Sequence, residues 1–200
     1  MKKLIQFAFI LCISYISNTF SNDNQNKELL FGTKMGIGNS FWNFITISGY
    51  DNSNEMYASF LMGKMIQNRF GLYCSVKPNF GFERFYDSYF LQFYGIGIIN
   101  LFHNSPSPFV SADFGYSRIN GFRNGVTDKE FTGNGFGISL DYGYKTKFHF
   151  ICMLNGSYHG IWRDLILKTS NPFEIVSSEV KDIAYTNIVS ISLSIGLLWP

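Results

Sequence analysis

Residues 185–200 read YTNIVSISLSIGLLWP. Val189, Ile191, Leu193, Ile195, Leu197 and Trp199 share one parity, while Ser190, Ser192, Ser194 and Gly196 share the other. Successive side chains on a strand point to opposite faces. The segment is therefore a strand with one greasy side and one small, polar side. What covers the greasy side decides the class of the protein.

The same period recurs upstream, separated by Asn, Gly, Ser and Pro. LLFGTKMGIG sets Phe31, Thr33, Met35 and Ile37 against Gly32, Lys34, Gly36 and Gly38. A second segment, about Glu55 to Ile66, carries Met56, Ala58, Phe60 and Met62 on one parity and a mixed set on the other. FGLYCSVKPNFGFE opposes Phe70, Leu72, Cys74, Val76, Phe80 and Phe82 to Gly71, Tyr73, Ser75, Lys77, Asn79 and Gly81. The fourth, about Ser88 to Leu101, is apolar on both parities, so its facing is ambiguous. In the fifth, Val110, Ala112, Phe114 and Tyr116 oppose Ser111, Asp113, Gly115 and Ser117. The sixth places Phe136, Ile138, Leu140, Tyr142 and Tyr144 against Gly135, Gly137, Ser139, Asp141, Gly143 and Lys145. The seventh has Phe148, Phe150, Cys152 and Leu154 against His149, Met153, Asn155 and Ser157, and the C-terminal stretch is the eighth.

The connections run long, short, short, short, long, short, long. Asn39–Asn54, Ile119–Glu130 and Gly160–Thr186 read as long connections, all of them odd in order, and the even ones are tight. Eight antiparallel strands of about ten residues, with long connections at one end only, form the pattern of outer-membrane barrels. WRDLILKTSNPFEIVSSEVKD, within the last connection, mixes charge with short β-like runs and reads either as a hairpin extending strands seven and eight, offering an adhesive edge, or as an ordinary solvated loop.

Composition agrees. The chain has 200 residues, 15% charged and 18% aromatic, with 22 Phe. That is poor in charge for a soluble domain and argues against disorder. The net charge of +2 comes from scattered basic residues with no Lys/Arg run, so no nucleic-acid partner is implied. Lys2 and Lys3, then the apolar run Leu4–Ile16, then small Thr19 and Ser21, read as a signal peptide cleaved after Ser21. Residues 1–21 are thus expected to be removed, leaving 22–200 as one barrel domain with no appended module. Lipidation at Cys12 is rejected because Leu11 precedes it. Cys74 and Cys152 could form a disulfide only on adjacent strands. No metal-type Cys/His spacing exists, and no metal or cofactor is implied.

A soluble lipid-carrying barrel would turn its apolar face inward. Volume decides against that, because an eight-stranded barrel has an interior just wide enough for side chains. The apolar parity carries about four to six bulky residues per strand, too many to fit inside, whereas Gly, Ser and an occasional charge suit a cramped polar lumen. The sheet must also close, since an open edge in hydrocarbon leaves backbone groups unpaired. Phe31, Phe70, Tyr116, Tyr144, Phe148 and Trp199 are placed to form interfacial girdles.

The terminal strand, closing on Trp199, resembles the C-terminal assembly signal of bacterial outer-membrane barrels, from which Pro200 departs. FGTKMGIGNS, MGKMIQNRFGLYCSVKPNFGF and GFGISLDYGYKTKFHF resemble the opening strand, second hairpin and a later hairpin of the PorT-like proteins of the Bacteroidetes. The chain as a whole is similar to small barrels related to OmpX and the OmpA barrel domain. The resemblance implies a bacterial outer-membrane location, outer-membrane lipid and the barrel assembly machinery as partners, and a fold rather than a chemistry.

Lys34, Lys77, Asp113, Asp141 and Lys145 fall on the lumen parity, with Glu83 and His149 nearer the ends. Charges in a narrow barrel must pair, since an unpaired buried charge is very costly. The expectation is an ion-pair network plugging the lumen, with a narrow polar pathway as the alternative. A lipid-modifying barrel enzyme needs Ser and His near the outer rim with a carboxylate orienting the His. NGSYHGIWRD offers Ser157, His159 and Asp164 at the expected outer end of strand seven. GNGFG lacks the strand–loop–helix setting of a nucleotide site. The sequence thus points to a non-enzymatic barrel with structural, adhesive or docking roles in its long loops, serving an extracellular or periplasmic protein partner. A narrow pore or secretion accessory is the alternative, and a lipid A-modifying enzyme the second.

Overall fold

The computed structural model describes residues 29–43, 50–66, 69–83, 87–103, 106–123, 129–167 and 182–199. The expected signal peptide lies outside the described residues. Eight antiparallel strands run β1 Leu29–Asn43, β2 Tyr50–Ile66, β3 Phe70–Glu83, β4 Asp87–Leu101, β5 Ser107–Arg123, β6 Lys129–Lys145, β7 Phe150–Leu167 and β8 Asp182–Trp199. Each pairs with its neighbours in sequence, and β8 closes on β1. No backbone edge is left within the sheet, as hydrocarbon surroundings require.

Register sets the barrel's shape. From Gly32 the paired residues run through Leu61, Ser75, Gly95, Gly115, Gly137, His159 and Ile188. They return to β1 at Trp42, ten residues beyond the start. That stagger tilts the strands by about 40° from the axis. Such coiling needs close backbone approach on the inner side. A Cβ on Gly115 would overlap the Tyr94 carbonyl oxygen of β4, so glycine is required there.

The terminal strand faces as expected. Leu193 is 64% and Ile195 69% exposed on the outside, whereas Ser190, Ser192 and Ser194 are buried inside. Met56, Phe60 and Met62 also face out, which resolves the mixed parity of β2. On β4 Phe93, Leu91 and Ile99 face in, while Ile96 and Ile98 face out. The ladder between β2 and β3 passes from Tyr57–Asn79 directly to Phe60–Val76. Pro78, within that gap, has no N–H to donate.

Two expectations need correction. The strands have 14 to 18 residues rather than about ten. Asn39–Asn43 and Tyr50–Asn54 belong to β1 and β2, and Ile119–Arg123 with Lys129–Glu130 to β5 and β6. Polar turn formers there do not end the strands, because the neighbouring strand still supplies hydrogen-bond partners. Only 168–181 separates β7 from β8, whose pairing runs out to Leu165–Asp182. Strands seven and eight therefore extend into the Gly160–Thr186 connection, taking up 160–167 and 182–186, and the rest of the expected hairpin, 168–181, lies outside the described residues.

The chain ends define the base of the barrel, the opposite end its rim. At the base Phe31 meets Trp199 with ring centroids 6.0 Å apart. His149, in the left-handed region at φ 65°, turns β6 into β7. Its ring stacks on Trp199 at 6.0 Å, and its carbonyl accepts a hydrogen bond from Leu198 N at 2.9 Å. Tyr116, expected at a strand end, instead lies within β5 because that strand continues to Arg123.

Cys74 and Cys152 sit on non-adjacent strands and form no disulfide with each other. Cys152 is exposed on the outer face near the base. In lipid vesicles it is expected to react with a membrane-soluble maleimide and to resist a charged one. Equal labelling by both reagents would place this face in water.

Candidate functional site

The lumen collects most of the chemically distinctive side chains. Inward residues of all eight strands converge within one narrow cylinder, so side chains far apart in sequence meet there.

Nearest the base lies an apolar cluster that includes Leu30, Met65, Tyr73, Ile99, Phe109 and Leu198. Above it stand two buried ion pairs. Lys34 Nζ is 2.5 Å from Asp141 Oδ2, and Lys77 Nζ is 2.5 Å from Asp113 Oδ2. Neutral donors complete the carboxylates' shells. Asp141 accepts from Ser111 Oγ at 2.8 Å and Asn155 Nδ2 at 2.5 Å, and Asp113 accepts from Ser75 Oγ at 2.9 Å. Ser139 Oγ joins the two pairs, accepting from Lys77 at 2.8 Å and Asn155 at 2.8 Å. Hydrogen bonds to every member are what make burial of four charges tolerable. Lys145 is also buried, but at the base end of β6 rather than in this layer.

Towards the rim the Phe93 ring lies below Lys77 Nζ at 5.6 Å and meets the His159 ring edge-on at 5.6 Å. His159 Nδ1 shares a hydrogen bond of 2.8 Å with Ser117 Oγ. Glu55, on the ambiguous parity of β2, is the lumen charge that the sequence reading missed. Its Oε2 accepts from Ser190 Oγ at 2.6 Å and from Tyr89 Oη at 3.2 Å, and Tyr89 in turn contacts Ser40 Oγ at 2.6 Å. A second apolar cluster of Tyr89, Leu91, Ile119, Ile161 and Ile188 closes this end. The lumen is thus not uniformly polar as expected, but a charged layer held between two apolar ones.

Ser157 and His159 do not occupy the outer rim. β7 runs on to Leu167, which leaves both inside the barrel, with His159 2% exposed. Ser157 pairs across the strands with Ser139 and Ser190, and neither Ser157 Oγ nor His159 Nε2 has a hydrogen-bond partner. Asp164 lies five residues beyond His159 on β7, about 16 Å along the strand. The three do not form a Ser–His–carboxylate relay. Among the described residues no group of three or more His, Cys, Asp or Glu is placed to hold a metal ion.

On the outside, apolar side chains form a belt around the barrel. Phe150 and Trp162 bound it on β7, separated by about 40 Å of strand, or about 30 Å along the axis at this tilt. The belt matches the hydrocarbon thickness that such barrels span. Lipid therefore covers the greasy side of VSISLSIGLLWP.

These features define a small transmembrane β-barrel with a filled lumen, the class built for the bacterial outer membrane. Solved structures of outer-membrane barrels match it. Neisserial surface protein A superposes with a TM-score of 0.52 at 14% identity, covering 84% of this chain and 96% of that one. Ail, the attachment invasion locus protein of Yersinia pestis, gives 0.54 at 10% identity over 86% and 99%. At such identities the likeness establishes the fold alone. No family model matches the chain, and no curated protein matches it.

Proposed function

We propose that this chain is a non-enzymatic surface barrel, with a structural, adhesive or docking role carried by its rim. The observation that supports this most is the packing of the lumen: two ion pairs, each completed by neutral donors, between two apolar clusters. The buried charges hold the wall together rather than line a path. The base, with Leu29 and Trp199, faces the periplasm in this reading, and the odd-numbered connections face outward. Between β6, β7 and β8 the wall stands above the belt, a raised sheet on which a protein partner or glycan can dock. Ail, which shares the fold, has been crystallised with the heparin analogue sucrose octasulfate. Within this class, the PorT-like barrels are the relatives suggested by FGTKMGIGNS and the two hairpin motifs.

The second reading is a narrow pore, favoured by the orphaned lumen atoms Ser157 Oγ and His159 Nε2. Planar-bilayer recording separates the two. The refolded chain is expected to give no resolved conductance steps. Steps that vanish on Lys34 or Asp141 substitution would replace the filled barrel with a pore.

A further inference from the structure

The outward parity should be apolar throughout the belt, yet towards the rim of β4–β8 it is not. One row of paired residues runs Gln92, Arg118, Asn134, Trp162, Tyr185, crossing five strands. The row beneath runs Tyr94, Tyr116, Phe136, Gly160, Asn187. Below that, Ile96, Phe114 and Ile138 return to lipid character. The composition changes over two rows, from hydrocarbon through ring faces to amides and a guanidinium.

The polar groups within the band are already oriented. Tyr158 Oη donates to Asn187 Oδ1 at 2.6 Å and lies 3.1 Å from Tyr185 Oη. Tyr116 Oη donates to Asn134 Oδ1. The Trp162 and Tyr185 rings sit 5.2 Å apart, with Phe136 6.0 Å from Trp162 on the other side. Gly160 lies between these rings. A Cβ there would collide with Tyr185 Oη, so glycine is what lets the tyrosine fold down over β7. The result is an aromatic patch laid over Gly160, with amides at its margins and Arg118 two strands away. Trp162 is 52% exposed beside it.

We propose that this band holds the phosphorylated sugar headgroup of an outer-leaflet glycolipid, its acyl chains lying on the apolar belt below. The occupant follows from position and chemistry. The band climbs with the strand tilt from within the lipid-facing belt at Gln92 and Arg118 to its rim edge at Trp162, so what covers the belt also reaches the band. Flat rings suit the C–H faces of a sugar, the Asn and Gln amides suit its hydroxyls, and Arg118 offers a charge-matched fork to a phosphate. A zwitterionic phospholipid headgroup would use the cation but offer no hydroxyl-bearing ring to the aromatic faces and amide N–H groups. The proposal rests on the reading above in one respect, that the rim faces outward.

Native mass spectrometry of the full chain, released from detergent micelles after adding bisphosphorylated lipid A, tests it. One retained lipid A per barrel is expected. Arg118→Gln and Trp162→Ala should each lower retention about tenfold. Lipid A stripped of phosphate should bind wild type about as weakly, with no further loss on Arg118→Gln. A boiled-versus-unboiled gel shift confirms that each variant is folded. Should Trp162→Ala fail that check, Trp162→Tyr, expected to keep the adduct, is read against Arg118→Gln instead. Retention unchanged in both variants would overturn the proposal, as would equal retention of phosphatidylethanolamine. Because the assay uses purified protein, it is indifferent to orientation and conductance. A conducting barrel that still holds lipid A would overturn the filled-lumen reading alone.

Discussion

Asp141→Ala is expected to destabilise the barrel by about 3–5 kcal/mol, the cost of leaving a buried cation without its partner. Lys34 sits 2.5 Å from Asp141 with both side chains almost wholly buried, so water cannot take over the lost interaction. The same change strands Ser111 Oγ and leaves Asn155 Nδ2 with Ser139 alone. Lys34→Met combined with Asp141→Leu should recover most of the loss, because an apolar pair of similar volume removes both desolvation penalties. Urea titration of vesicle-embedded protein, read as the fraction migrating compactly without boiling, measures both. A single variant as stable as wild type would mean that the layer is hydrated and the lumen open.

The second large effect lies on the opposite face of the same wall. Leu193→Arg should cost about 2–4 kcal/mol, since its side chain sits near mid-belt in hydrocarbon. Val189→Arg, four residues nearer the rim on the same face, should cost only about 0–1 kcal/mol. The same urea titration measures the pair. The contrast is a depth gauge, because outward positions on β8 differ chiefly in height. Equal costs would show that the face does not lie in a bilayer.

How much of this was legible in the sequence depends on how unlike the two faces of a strand are. On β8, Ser against Ile and Leu left no ambiguity, and β1, β3 and β6 were nearly as clear. On β4 the inward set Leu91, Phe93, Ile99 and Leu101 is as apolar as the outward one, because the apolar layers of the lumen draw on this strand. Periodicity cannot separate two greasy faces. Glu55 was overlooked for a related reason, since its parity on β2 also carries Tyr57, Leu61 and Met65. Strand ends were misjudged where Asn, Ser and Gly suggested turns, since pairing across the sheet outweighs local turn preference. That misjudgement also set Ser157 and His159 too near the rim. The outer band of Arg118, Asn134 and Asn187 showed only as polar residues on the wrong parity, and it acquired meaning when register placed them in two rows.

The lumen network also determines the order in which the chain gains its stability. Lys34 and Asp141 stand 107 residues apart, and Glu55 and Ser190 135 apart. Both contacts join early strands to late ones, so neither forms while the sheet is still a curling ribbon. Closing such loops costs chain entropy before any contact offsets it. A half-built sheet would also present Lys34 and Glu55 to lipid with their partners still unplaced. These two contacts are completed only as the wall closes, and the Glu55 contact arrives with the final strand, when His149 and Phe31 receive Trp199.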